Sequence, residues 1–99
     1  MKIKHTLVLF DQVKDYIAAL PPDSKKYFKR ELQKLAVGGG DTHPLKKELE
    51  GYSRLRIGAH RVIYMHASGL VIECAYAGPR ETVYQTFMPP KTADQDSPA

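Results

Sequence analysis

Apolar and charged positions alternate along Tyr52–Ile57, where Arg54, Leu55, Arg56 and Ile57 follow one another. A period of two predicts a strand with one buried face. Gly58-Ala59 interrupts the pattern, and His60–His66 predicts a second strand. A two-residue turn at Gly58-Ala59 sets Ile57 opposite His60, Arg56 opposite Arg61 and Leu55 opposite Val62. Leu55, Ile57, Val62 and Tyr64 then share one face, and Arg54, Arg56 and Arg61 share the other. A slip of one residue would scatter both groups.

The rest of the chain is read in the same way. Leu7-Val8-Leu9 predicts a strand over about Ile3–Leu9, set well inside the sheet. Phe10, Val13, Ile17 and Leu20 fall at helical spacing, and Pro21-Pro22 ends that helix. Asp23 or Ser24 is expected to cap a second helix with Phe28, Leu32 and Leu35 as its apolar stripe. Lys25, Lys26, Lys29, Arg30 and Lys34 occupy its other faces, and Gly38-Gly39-Gly40 stops it. Asp41–Gly51 is expected to be a loop or short turn carrying Lys46 and Lys47. Ala67-Ser68-Gly69 is a turn, and Leu70–Tyr76, mostly apolar, is a third strand of the meander in a central position. Arg80–Tyr84 follows as a short extended segment or turn. Residues 1–88 are expected to form one domain and 89–99 a mobile tail. The order β-α-α-β-β-β implies an α+β fold, with two helices on one face of a mainly antiparallel sheet. The arginines then face the open side.

Ninety-nine residues support one small core. The net charge of +4 permits a polyanionic partner. The single cysteine, Cys74, excludes an internal disulfide and fits a buried small apolar role in a reducing compartment. No apolar run is long enough to cross a bilayer, and the N-terminus lacks a signal-peptide pattern, so a cytoplasmic location is expected. No zinc-type ligand spacing is present, and no metal or cofactor is expected. His5, His43 and His66 read as incidental, and Tyr76 and Phe87 as packing.

Like charges directly opposed across two strands destabilise a sheet. Arg54, Arg56 and Arg61 therefore call for an anion. A carboxylate such as Glu73 or Glu81 could pair with Arg56, or a phosphate could serve as ligand.

Four stretches carry a resemblance: Pro44–Gly51 with Leu49-Glu50-Gly51, Arg54-Leu-Arg-Ile-Gly58, His60-Arg-Val-Ile-Tyr64, and Gly78-Pro-Arg-Glu-Thr-Val-Tyr84. They resemble the RelE/ParE superfamily, the toxins of bacterial type II toxin–antitoxin systems. RelE-like members cut messenger RNA in the ribosomal A site, whereas ParE-like members share the fold and inhibit DNA gyrase. The resemblance implies Arg54, Arg61, Arg80 and Tyr84 as catalytic residues, with Lys46, Lys47, Tyr52 and Arg56 on the RNA. It also implies a cognate antitoxin that wraps the toxin, together with the ribosome and mRNA as partners. Arg80 and Tyr84 favour the RelE-like branch. A ParE-like gyrase inhibitor and a degenerate, non-toxic member are the alternatives. Two departures stand out. Tyr52 occupies a position where the best-known RelE pattern has lysine, and the Arg80–Tyr84 interval is shorter.

RNA cleavage without a metal requires the 2′-hydroxyl to be deprotonated, the phosphorane stabilised and the 5′-oxygen protonated. Arginine forks onto phosphate oxygens and stays charged, which suits Arg61 and Arg80 to charge stabilisation. The general base is left among Tyr84, Tyr52, His60 and His66. A tyrosine, with a free pKa near about 10, needs nearby cations for that role. The hairpin register places His60 with Ile57 on the apolar face, which argues against it.

Overall fold

In the computed structural model the described residues are 3–87. Strand β1 is Thr6–Leu9, followed by helix α1 (Asp11–Ala18) and helix α2 (Pro22–Ala36). Strand β2 (Asp41–Pro44) and a 3-10 turn (Lys47–Leu49) lead into β3 (Ser53–Ile57), β4 (His60–Ala67) and β5 (Val71–Pro79). A last helix, α3, spans Val83–Thr86. The five strands form one sheet in the order β1-β5-β4-β3-β2. β1 runs parallel to β5, and the other neighbours are antiparallel. The α+β class, the two N-terminal helices and the mainly antiparallel sheet are as the sequence predicts.

The hairpin register is also as read: Ile57 opposes His60, Arg56 opposes Arg61, and Leu55 opposes Val62. Gly58 has φ +59°, and Ala59 does not share a positive φ. That is the pattern of a type II′ turn, which takes glycine at its first central position because the left-handed backbone there clashes with a Cβ.

The main core lies between the helices and one sheet face. Val13 and Ile17 of α1 and Phe28, Leu32 and Leu35 of α2 pack on Leu55, Ile57, Val62, Tyr64, Ile72 and Cys74. The α2 terminus is a Schellman motif. Gly39 N–H donates to the Lys34 carbonyl at 2.7 Å and Gly38 N–H to the Leu35 carbonyl at 3.1 Å, with Gly38 at φ +86°.

Four expectations need correction. β1 is an edge strand. Leu7 and Leu9 do face the core, but Val8 is 41% exposed on the outer side. An apolar run therefore arises here from one buried face plus one exposed valine. Asp41–Pro44 is not loop but the opposite edge strand, paired with β3 and exposed throughout. Its short polar sequence, ended by proline, fits an edge, where half the backbone groups meet water. Neither Asp23 nor Ser24 caps α2: Pro21 holds the cap position and Pro22 the first helical position. Proline loses nothing there because that N–H has no helical partner. The outer sheet face is also partly covered. α3 and the Leu45–Gly51 segment lay a second cluster on it: Ile63, Ala75, Val83 and Phe87, with Leu45, Leu49, Tyr52 and Tyr76 around them. A bulge at Ala75, where the register shifts opposite Ile63 and Tyr64, turns both Ala75 and Tyr76 to this side. The mobile tail expected over 89–99 lies outside the described residues.

Candidate active site

β3 and β4 present Arg54, Arg56 and Arg61 on the outer face, with Arg54 half-buried opposite Ile63 of the second cluster. Arg61 is folded back over the hairpin: its Nη1 donates to the Gly58 and His60 carbonyls, both at 2.9 Å. Opposite Arg61 on β5 stands Gly78, which has no side chain. A Cβ on Gly78 would meet Val83 Cγ2 at 3.4 Å, so α3 packs directly over this position. Val83 and Phe87 anchor α3, and Tyr84 stands 38% exposed between them. Arg80 arrives from the end of β5, fixed by its N–H on the Ala59 carbonyl at 2.9 Å.

Electrostatics ties these side chains together. The Arg61 guanidinium is pushed below its ordinary range first by burial, then by Arg54 and Arg56; Arg80 acts in the same direction, and Tyr84, when ionised, opposes them. Four cations and one phenol therefore share one patch. Its carboxylates are few and peripheral. Asp41 reaches Arg56 at 3.9 Å and Glu81 reaches Arg80 at 3.5 Å, with both pairs well exposed. Exposed pairs of this kind contribute about 0–1 kcal/mol. The Arg56 partner is thus Asp41 on the unforeseen strand β2, and not Glu73 or Glu81. Arg54 has no carboxylate partner among the described residues, and its Nη1 is buried without a hydrogen-bond acceptor. A buried donor left unmade costs about 1–3 kcal/mol. An anion seated among Arg54, Arg56, Arg61 and Arg80 would offset the repulsion between these guanidinium groups.

The remaining candidates sit elsewhere. Tyr52 packs edge-on against Phe87, with ring centroids 5.2 Å apart, inside the second cluster. Burial, and then Glu73, push its phenol above the usual range. That opposes a tyrosinate at this position. Lys46 and Lys47 are exposed at the 3-10 turn, and no hydrogen bond or ion pair among the described residues links them to the arginines. His60 is turned to the helices: its Nδ1 lies 2.7 Å from the Tyr16 hydroxyl, between the Tyr16 and Phe28 rings. His66 also lies off the arginine face, edge-to-face with His5 at 5.5 Å. Among the described residues no group of three or more His, Cys, Asp and Glu side chains is placed to hold a metal.

One supporting residue escaped sequence reasoning. The Gln12 side-chain amide donates to the Ala77 carbonyl at 2.7 Å and accepts from the Ala77 N–H at 2.8 Å. β1 ends its pairing at Leu9–Cys74, so the Gln12 amide stands in for the next peptide of the neighbouring strand. It holds β5 one residue before Gly78. A glutamine one residue into a helix carries no sequence signal for such a role.

Solved structures match this architecture. The RelBE2 toxin–antitoxin complex from Mycobacterium tuberculosis matches with a TM-score of 0.63 at 19% identity, over 79% of this chain and 100% of that one. The archaeal RelE–RelB complex from Pyrococcus horikoshii matches with a TM-score of 0.64 at 23% identity, over 78% and 96%. The chain has the RelE/ParE toxin fold. The YoeB/ParE toxin from Agrobacterium tumefaciens shares the RelE/ParE fold with it at a TM-score of 0.57 and 21% identity, over 76% and 98%. No family model and no curated protein matches the sequence. On the RelE/ParE fold, Arg54, Arg56, Arg61, Arg80 and Tyr84 gather at one end of the outer sheet face, whereas Tyr52, Lys46 and Lys47 do not join them.

Proposed function

We propose that this chain is the toxin of a toxin–antitoxin pair and cuts messenger RNA on the ribosome without a metal. The observation that carries the reading is the arginine patch, whose carboxylate partners among the described residues are two exposed, peripheral ones. A scissile phosphodiester fits it, because guanidinium groups fork onto phosphate oxygens and gain strength as the phosphorane gathers charge. Arg54, Arg61 and Arg80 hold the phosphate, and Arg56 holds a neighbouring phosphate of the RNA. The 2′-oxygen attacks phosphorus and the P–O5′ bond breaks, leaving a 2′,3′-cyclic phosphate and a 5′-hydroxyl. Tyr84 is the general base that takes the 2′-proton. It is favoured over Tyr52, which is packed and held neutral, and over His60 and His66, which lie off this face. Arg61 keeps its proton and, with Arg54 and Arg80, steadies the charge that builds on the phosphorane and on the departing O5′, which takes its proton from water. A cognate antitoxin would silence the protein by covering this face or displacing α3.

The test is cleavage of two messengers on programmed ribosomes, one all-ribose and one with a single 2′-deoxy nucleotide at the cut position. Cutting of the first alone is expected. An intact all-ribose messenger, or a cut deoxy messenger, would overturn the mechanism.

A further inference from the structure

α2 carries an aromatic side chain where its pattern calls for a polar one. Tyr27 precedes the buried Phe28 and is 42% exposed. It is nonetheless held in place: its Cε2 lies 3.7 Å from the position that a Cβ on Gly58 would take, in ordinary contact distance of the hairpin turn. The other side of that two-residue turn belongs to the arginine patch. Gly58 accepts from Arg61 and Ala59 from Arg80. Tyr27 and the patch thus flank one tight turn. Arg30, exposed, stands one helical turn on from Tyr27 on the same side of α2, and Lys26, also exposed, precedes Tyr27 in the chain.

We propose that Tyr27 is a base-stacking platform for single-stranded RNA. A base next to the phosphate on the arginine patch crosses the Gly58-Ala59 turn and lies on the ring, and Lys26 and Arg30 meet the phosphates beyond it. This rests on the ribonuclease reading and extends its substrate site from one phosphate to a neighbouring base. Proteins that grip single strands combine a basic track with aromatic faces, and such stacking tolerates any base because each has a π-face. The glycine at 58 keeps the approach between ring and patch low.

The experiment uses the whole protein and a single-stranded RNA oligonucleotide carrying 2-aminopurine, whose fluorescence is quenched when it stacks. It is run beside ribosomal cleavage. Tyr27→Phe keeps the ring, Tyr27→Leu keeps apolar bulk without a π-face, and Tyr27→Ala removes both. Wild type and Tyr27→Phe are expected to quench alike. Tyr27→Leu and Tyr27→Ala are expected to bind about 5- to 150-fold more weakly, the range of one lost base stack. Cleavage should show this as a raised KM with kcat kept. Equal quenching and affinity for wild type and Tyr27→Leu would overturn the platform, as would no quenching by wild type. Tyr27-dependent quenching without any ribosomal cleavage would support the platform and sink the ribonuclease reading alone.

Discussion

Replacing Arg54 by methionine should make the protein more stable and less active. Methionine keeps most of the aliphatic stem that lies against the sheet and removes the guanidinium. The guanidinium costs stability because its buried Nη1 has no acceptor. That cost is about 1–3 kcal/mol. Relief of repulsion with Arg56, Arg61 and Arg80 adds to the gain, since Arg54 and Arg56 already press on the Arg61 equilibrium. For a domain of this size each kcal/mol is worth about 4–8 °C in melting temperature. Thermal unfolding of Arg54→Met should therefore show a rise of at least several degrees in low-phosphate buffer. Phosphate should raise the wild-type midpoint more than that of the variant, because an anion binding the native patch shifts folding by mass action. A variant that melts below wild type would refute the reasoning. It would show that Arg54 has native partners worth more than its desolvation.

Other expectations follow from single contacts. Gln12→Ala removes both bonds to the Ala77 peptide. It should destabilise the fold by about 1–3 kcal/mol, read as a lower urea midpoint with an unchanged slope. Gly40→Ala places a Cβ 2.9 Å from Leu55 Cδ1 at a backbone φ of +90°, and should cost about 1–3 kcal/mol in the same assay. Burial lifts the Cys74 thiol from its ordinary 9.0 to about 12. The stability it lends is full below pH 9 and is lost as pH rises toward 12, because the unfolded chain releases the proton first. Cys74→Ala should flatten the alkaline fall in melting temperature, and an unchanged fall would count against the burial argument. The native thiol should also resist alkylating reagents at neutral pH, when only the unfolded chain reacts.

The sequence was most legible where one short-range rule dominated. Period-two alternation on either side of Gly58-Ala59 fixed the β3–β4 register, and with it the shared face of Arg54, Arg56 and Arg61. The helical stripes and the triple glycine located α2 and its end in the same way. What escaped depends on long-range placement. Leu7-Val8-Leu9 reads the same in an edge strand as in a central one. β2 has only Asp41-Thr-His-Pro44, and it becomes a strand because β3 offers an unpaired edge. The second cluster needs Val83 and Phe87 to fold back over Ile63, and no local pattern announces that return. The same return decided the candidate residues: it drew Tyr52 into packing and left Tyr84 beside the arginines.

The central claim is that the arginine patch stabilises the transition state of phosphodiester cleavage. The most direct measurement is the single-turnover cutting rate on programmed ribosomes for wild type and Arg61→Ala, with the folding of both checked by thermal unfolding. Loss of one such charge-stabilising donor costs about 10²–10³ in rate. The account predicts a loss of that size with a native-like melting transition. A correctly folded Arg61→Ala protein that cuts at the wild-type rate would contradict it.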